Sequence, residues 1–117
     1  MQSQFQEYLK VTTQRIPTMT GLSLYDSRGG EIASGVPAAQ SVMQTIYAHG
    51  EICAQGISNL NQLCAIGSEG AWMGHRFLVD GEEYSLWAWW RDSPPAEIMR
   101  QVLVDLEREL RPLLLIR

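Results

Sequence analysis

Residues 83–90 read Glu-Tyr-Ser-Leu-Trp-Ala-Trp-Trp and follow Asp80-Gly81, a strong two-residue hairpin signal. Aromatic residues suit a pleated surface, so the run is a strand. Successive side chains of a strand leave on opposite faces. Leu86 and Trp90 therefore share one face and Trp87 and Trp89 the other, and both faces carry large apolar groups. A strand of this kind belongs in the middle of a sheet with cover on both sides.

The rest of the chain supplies that cover. Phe5, Tyr8, Leu9, Thr12 and Ile16 recur at three- and four-residue steps, which predicts a helix over about residues 3–15 that Pro17 stops. Gly21 to Tyr25 alternates, Asp26-Ser27-Arg28-Gly29-Gly30 reverses the chain, and Glu31 to Ser34 is again extended, a β-hairpin. Pro37 is preset for a first helical turn, and Ala39, Val42, Met43, Ile46 and Tyr47 follow at helical spacing, with Gly50 as the expected stop. From Glu51 to Asn61 the period fades, which predicts a helical tail passing into a loop.

Leu63 to Gly67 and Ala71 to Val79, joined by Ser68-Glu69-Gly70, complete a three-strand meander with the aromatic strand. Ser93-Pro94-Pro95-Ala96-Glu97 is a helix start, with Ser93 as the expected capping hydroxyl. Met99, Val102, Leu103, Leu106, Leu110 and Leu113 mark the apolar face of a long helix that Pro112 should kink or end. Leu113 to Ile116 either closes the core beside the first helix or meets another chain.

Composition narrows the function. A chain of 117 residues that is 45% apolar and 19% charged is one globular domain, not a disordered segment. Nine Lys and Arg against thirteen Asp and Glu give a net charge of −4, which argues against nucleic acid and anionic membranes as partners. No apolar run approaches the roughly 20 residues of a membrane span. Met1 to Glu7 does not look like a targeting peptide, so the expected compartment is the reducing cytoplasm.

Chemistry is sparse. Cys53 and Cys64 lack zinc-site spacing and are expected as buried reduced thiols. His49 or His75 could activate one of them, but no third orienting group is evident, and a surface histidine with a core thiol is the simpler account. Glu82 and Glu83 point to opposite faces of a strand, and Asp105 and Glu109 lie on a solvated helix face among arginines. The glycines lack phosphate-binding spacing. No cofactor, metal or catalytic activity is expected.

The order helix, two strands, helix, three strands, helix resembles the Roadblock family of dynein light chains and its bacterial relatives. Gly21 to Ser34 is similar to the family's opening hairpin, Pro37 to Gly50 to its central helix, and Cys64 to Leu110 to its meander and closing helix. The resemblance implies an α+β fold: a three-layer α/β/α sandwich around a five-stranded antiparallel sheet in the order 2-1-5-4-3. It implies a homodimer, with the central helix packed on its twin through Ala39, Met43, Ile46 and Tyr47. The third strand would pair across the twofold axis through Leu63, Cys64, Ala65 and Ile66.

The family's work is to bind small Ras-like GTPases or motor and signalling subunits without chemistry of its own. Met43 and Tyr47 suit either a core or a dimer contact, and the dimer is preferred. Trp72, near the start of its strand where cover is thin, is the expected partner contact, with His75 beside it. The same hairpin occurs in sensor domains of the GAF and PAS kinds. A sensor would need an enclosed cavity of roughly 300 Å³ or more.

Overall fold

A computed structural model describes residues 2–57 and 60–116. The elements are α1 (Gln2–Arg15), β1 (Met19–Asp26), β2 (Glu31–Ser34), a 3-10 turn (Pro37–Ala39), α2 (Gln40–Ala54), β3 (Gln62–Gly67), β4 (Gly70–Val79), β5 (Glu82–Trp90) and α3 (Ala96–Leu115). All strand pairs are antiparallel, in the order β2-β1-β5-β4-β3. β5 is the central strand that its two apolar faces require.

Two hydrophobic clusters, one on each face of the sheet, mark the layers. Phe5 and Leu9 of α1 and Met99, Leu103, Leu106 and Leu110 of α3 pack with Leu24, Leu86 and Trp90. On the other face Ala39, Met43 and Ile46 pack with Tyr25 and Trp87. The hairpins follow local chemistry. Asp26 Oδ1 accepts the N–H groups of Arg28 and Gly30, both at 2.9 Å, which closes the β1–β2 turn. Asp80 and Gly81 take φ of 52° and 81°, the left-handed pair that matches strand twist in a two-residue hairpin.

Four expectations fail for physical reasons. α2 does not stop at Gly50 but runs to Ala54. Gly50 is buried because Trp87 occupies the space a side chain would need: a Cβ there would stand 2.0 Å from Trp87 Cη2. Ser93 does not cap α3, since Pro95 holds the cap position and the Ser93 hydroxyl donates to the Gly67 carbonyl at 3.2 Å instead. Pro112 does not end α3, because Leu110 and Leu114 on either side of it are buried in the core and hold the last turn down. Both cysteines are exposed, Cys53 on a side of α2 turned from the sheet and Cys64 on an edge strand.

The apolar ending divides: Leu114 enters the core, Leu113 packs against it, and Leu115 and Ile116 face solvent. The loop expected before β3 falls partly on residues 58 and 59, which lie outside the described residues.

Candidate interaction surface

β3 is the open margin of the sheet on one side, and Leu63 to Gly67 are half-buried or exposed. Its unused hydrogen bonds can be assigned. The Arg76 N–H donates to the Asn61 carbonyl at 2.7 Å, and the register pairs Leu63 with Gly74 and Ala65 with Trp72. Antiparallel ladders alternate, so Leu63 and Ala65 turn their peptide groups to β4 while Cys64 and Ile66 turn theirs outward. No proline or charge guards that edge.

Next to it lies an aromatic ladder. Tyr25 stacks on Tyr47 with centroids 4.2 Å apart, Tyr47 meets Trp87 edge-on at 5.6 Å, and Trp87 meets Trp72 at 5.8 Å. Trp87 is buried, whereas Trp72 and its cross-strand neighbour Trp89 are only half-covered and form a shelf beside β3. Burial raises the Tyr25 hydroxyl to about 12, with the Glu31 carboxylate adding to the effect, and burial likewise raises Tyr47. Both are neutral phenols at physiological pH.

The residues expected at a twin-helix contact are placed differently. Met43 is 0% exposed, and Ala39 and Ile46 are buried with it against the chain's own sheet. Tyr47 is half-buried beneath its stack on Tyr25. Helical spacing puts Val42, His49 and Cys53 on the flank of α2 opposite Tyr47 and Glu51, with Ile52 on the outward side, and all four are exposed. These are among the exposed α2 side chains available to a second molecule.

His75 is not a surface contact. It is 7% exposed, on the face of β4 that meets α3; Gln62 Nε2 donates to its Nδ1 at 3.1 Å and its Nε2–H donates to Glu107 Oε1 at 2.6 Å. Glu107 also accepts from Arg111 Nε at 2.6 Å. Burial alone would raise the Glu107 carboxyl, but the hydrogen bonds from His75 and Arg111 outweigh it and hold the carboxyl below its usual range. Among the described residues neither thiol is hydrogen-bonded to an imidazole, and no group of three metal-ligating side chains converges.

Arg76 is the residue that sequence reasoning missed. Its Nη2 meets both oxygens of Glu51 on α2, at 3.0 and 2.9 Å, and its Nε meets Glu83 on β5 at 2.8 Å. One guanidinium thereby ties α2 to the sheet. The Asp80-Gly81 turn sets the register that makes Arg76 and Glu83 diagonal neighbours, so half of this triad carried a local signal.

No protein-family profile matches the chain, and no curated protein matches it. Solved structures do. A Roadblock/LC7 domain from Streptomyces avermitillis superposes with a TM-score of 0.67 at 10% identity, covering 91% of this chain and 97% of that one. The chain has the Roadblock/LC7 fold. Myxococcus xanthus MglB superposes on it with a TM-score of 0.70 at 13% identity, covering 97% of this chain and 89% of MglB. At these identities the Roadblock likeness is one of architecture, and strand order, layers and element order all agree with it.

Proposed function

We propose that this Roadblock-fold chain works as a homodimeric, non-enzymatic interaction module in the cytoplasm that docks a small Ras-like GTPase or another signalling protein. The observation that carries the dimer is the open edge of β3, with the peptide groups of Cys64 and Ile66 turned outward beside the Trp72–Trp89 shelf. An unguarded edge next to half-covered tryptophans is completed by a second copy, which pairs β3 with β3 and lays the exposed side of α2 against its twin. The contact residues are then Leu63 to Ile66 and Trp72 with Val42, His49, Ile52 and Cys53, while Ala39, Met43 and Ile46 support the helix from beneath. The GTPase or signalling partner rests on the Roadblock likeness of the fold.

Sedimentation across a dilution series tests the dimer. A twofold mass that dissociates on dilution supports it, and a strict monomer on the order of tens of micromolar overturns it. Titration with purified Ras-like GTPases in both nucleotide states tests the partner. A ligand-sensing role has less support, because Trp87 fills the space beneath α2: the cavity left beside Gly50 and Gly74 is only about 10 Å³.

A further inference from the structure

The far end of β4 and β5, away from the tryptophan shelf, carries a second surface. A groove of about 830 Å³ opens between the β1–β2 turn, the β4–β5 turn and the last turn of α3. Its apolar part is formed by Leu78, 59% exposed, and Leu115, 62% exposed, side chains that a sheet and a helix normally bury. Its rim is acidic: Asp26, Asp80, Glu82 and Glu83 all line it, against Arg28 as the single lining cation among the described residues.

Three of these charges are already engaged. Asp26 holds its own turn, Glu83 holds Arg76, and Glu82 accepts from the Tyr84 hydroxyl at 3.2 Å. Asp80 and Glu82 have no ion-pair partner among the described residues. The C-terminal end of α3 points its partial negative charge at the same place, with no basic residue in its last turn to offset it. Acidic field and exposed leucines therefore line one groove that wraps the β4–β5 hairpin, with Leu78 on the α2 side of the sheet and Leu115 at the end of α3 on the other.

We propose that this groove docks a short amphipathic cationic segment of a partner protein, with leucine-like side chains against Leu78 and Leu115 and lysine or arginine on Asp80 and Glu82. The occupant follows from charge complementarity: anionic lipid and nucleic acid are repelled, and a purely apolar ligand leaves the rim unanswered. The groove admits a few side chains, not a domain. It is independent of the proposed dimer, which uses the β3 edge and the other end of the strands.

Amide shifts of the isotopically labelled protein, titrated with a synthetic Leu/Lys amphipathic helix of about four turns, test the proposal. The expected result is movement confined to residues 26–28, 78–83 and 114–116, with no effect from a matched Leu/Glu peptide. Leu78→Ser, at an exposed position, keeps the fold and lowers affinity about tenfold. Asp80→Asn with Glu82→Gln weakens binding and flattens its salt dependence. Shifts centred on Trp72 or β3, or unchanged affinity in Leu78→Ser, overturn the proposal. So does movement of the same amides on diluting the protein alone, which assigns the groove to a second copy, or on adding calcium without competition from the peptide.

Discussion

The six-membered ring of Trp87 lies against the backbone of Gly50, so close that a Cβ on Gly50 would stand 2.0 Å from Cη2. Gly74 on β4 flanks the same ring, with a Cβ there falling 2.5 Å from it. The indole is thus held between α2 and the sheet, and its Nε1–H donates to Ser85 Oγ at 2.9 Å. The two glycines set how closely α2 lies on the sheet and so place the helix's outer side.

Gly50→Ala therefore forces α2 or the indole to move. The expected cost is about 2–4 kcal/mol, read as a lower denaturation midpoint with an unchanged slope. Trp87→Phe removes the clashing ring atoms, so the double variant should be more stable than the sum of the two single losses predicts. Strict additivity would show that the contact does not set the spacing.

Met43→Asp and Val42→Asp separate the two sides of α2. The first buries a carboxylate and should cost more than about 4 kcal/mol, abolishing folded protein. The second keeps the fold and shifts sedimentation toward the monomer. A folded Met43→Asp variant would contradict the packing of α2 on its own sheet.

Cys64→Pro removes an N–H that points out of the sheet, a change edge strands tolerate. The expected outcome is a folded monomer. Thiol labelling gives a second reading: Cys53 and Cys64 react quickly in dilute protein, and both slow as concentration rises through the dimer transition, Cys64 reporting on the β3 edge and Cys53 on α2. Equal rates at all concentrations would count against pairing through β3.

Arg76→Leu leaves Glu51 and Glu83 without their shared cation. Because the three side chains are partly exposed, the expected loss is about 1–2 kcal/mol. Glu51→Gln in the Arg76→Leu background should cost less than alone, as thermal melts of the four proteins would show.

Acid should loosen the β4–α3 contact. Glu107 has a lowered folded pKa, so its contribution is present above the unfolded value of about 4.5 and is lost as pH falls through the lower folded value. Glu107→Gln should flatten stability against pH in that window while leaving the mid-acid range, pH 5 to 6, with a uniform loss of about 1–2 kcal/mol. A variant that keeps the wild-type acid slope would place the responsible group elsewhere.

Much of the architecture was written locally. The apolar groups at both parities of Glu83 to Trp90 demanded a central, doubly covered strand, and β5 is one. Asp80-Gly81 set the β4–β5 register through its left-handed turn, and apolar spacing at three and four residues placed all three helices. These features depend on neighbours in the chain, so a pattern of residue types is enough to reveal them.

Tertiary contact decided the rest. Gly50 reads as a helix stop until Trp87, far along the chain, takes the place of its side chain. His75 looks available until Glu107 and Gln62 close on its two nitrogens, and Arg76 looks like a solvated charge until α2 brings Glu51 to it. Which side of α2 faces the sheet, and therefore which residues remain for a partner, depends on how the helix is rolled about its axis. That rotation is fixed by packing between distant segments, which periodicity along the chain does not encode.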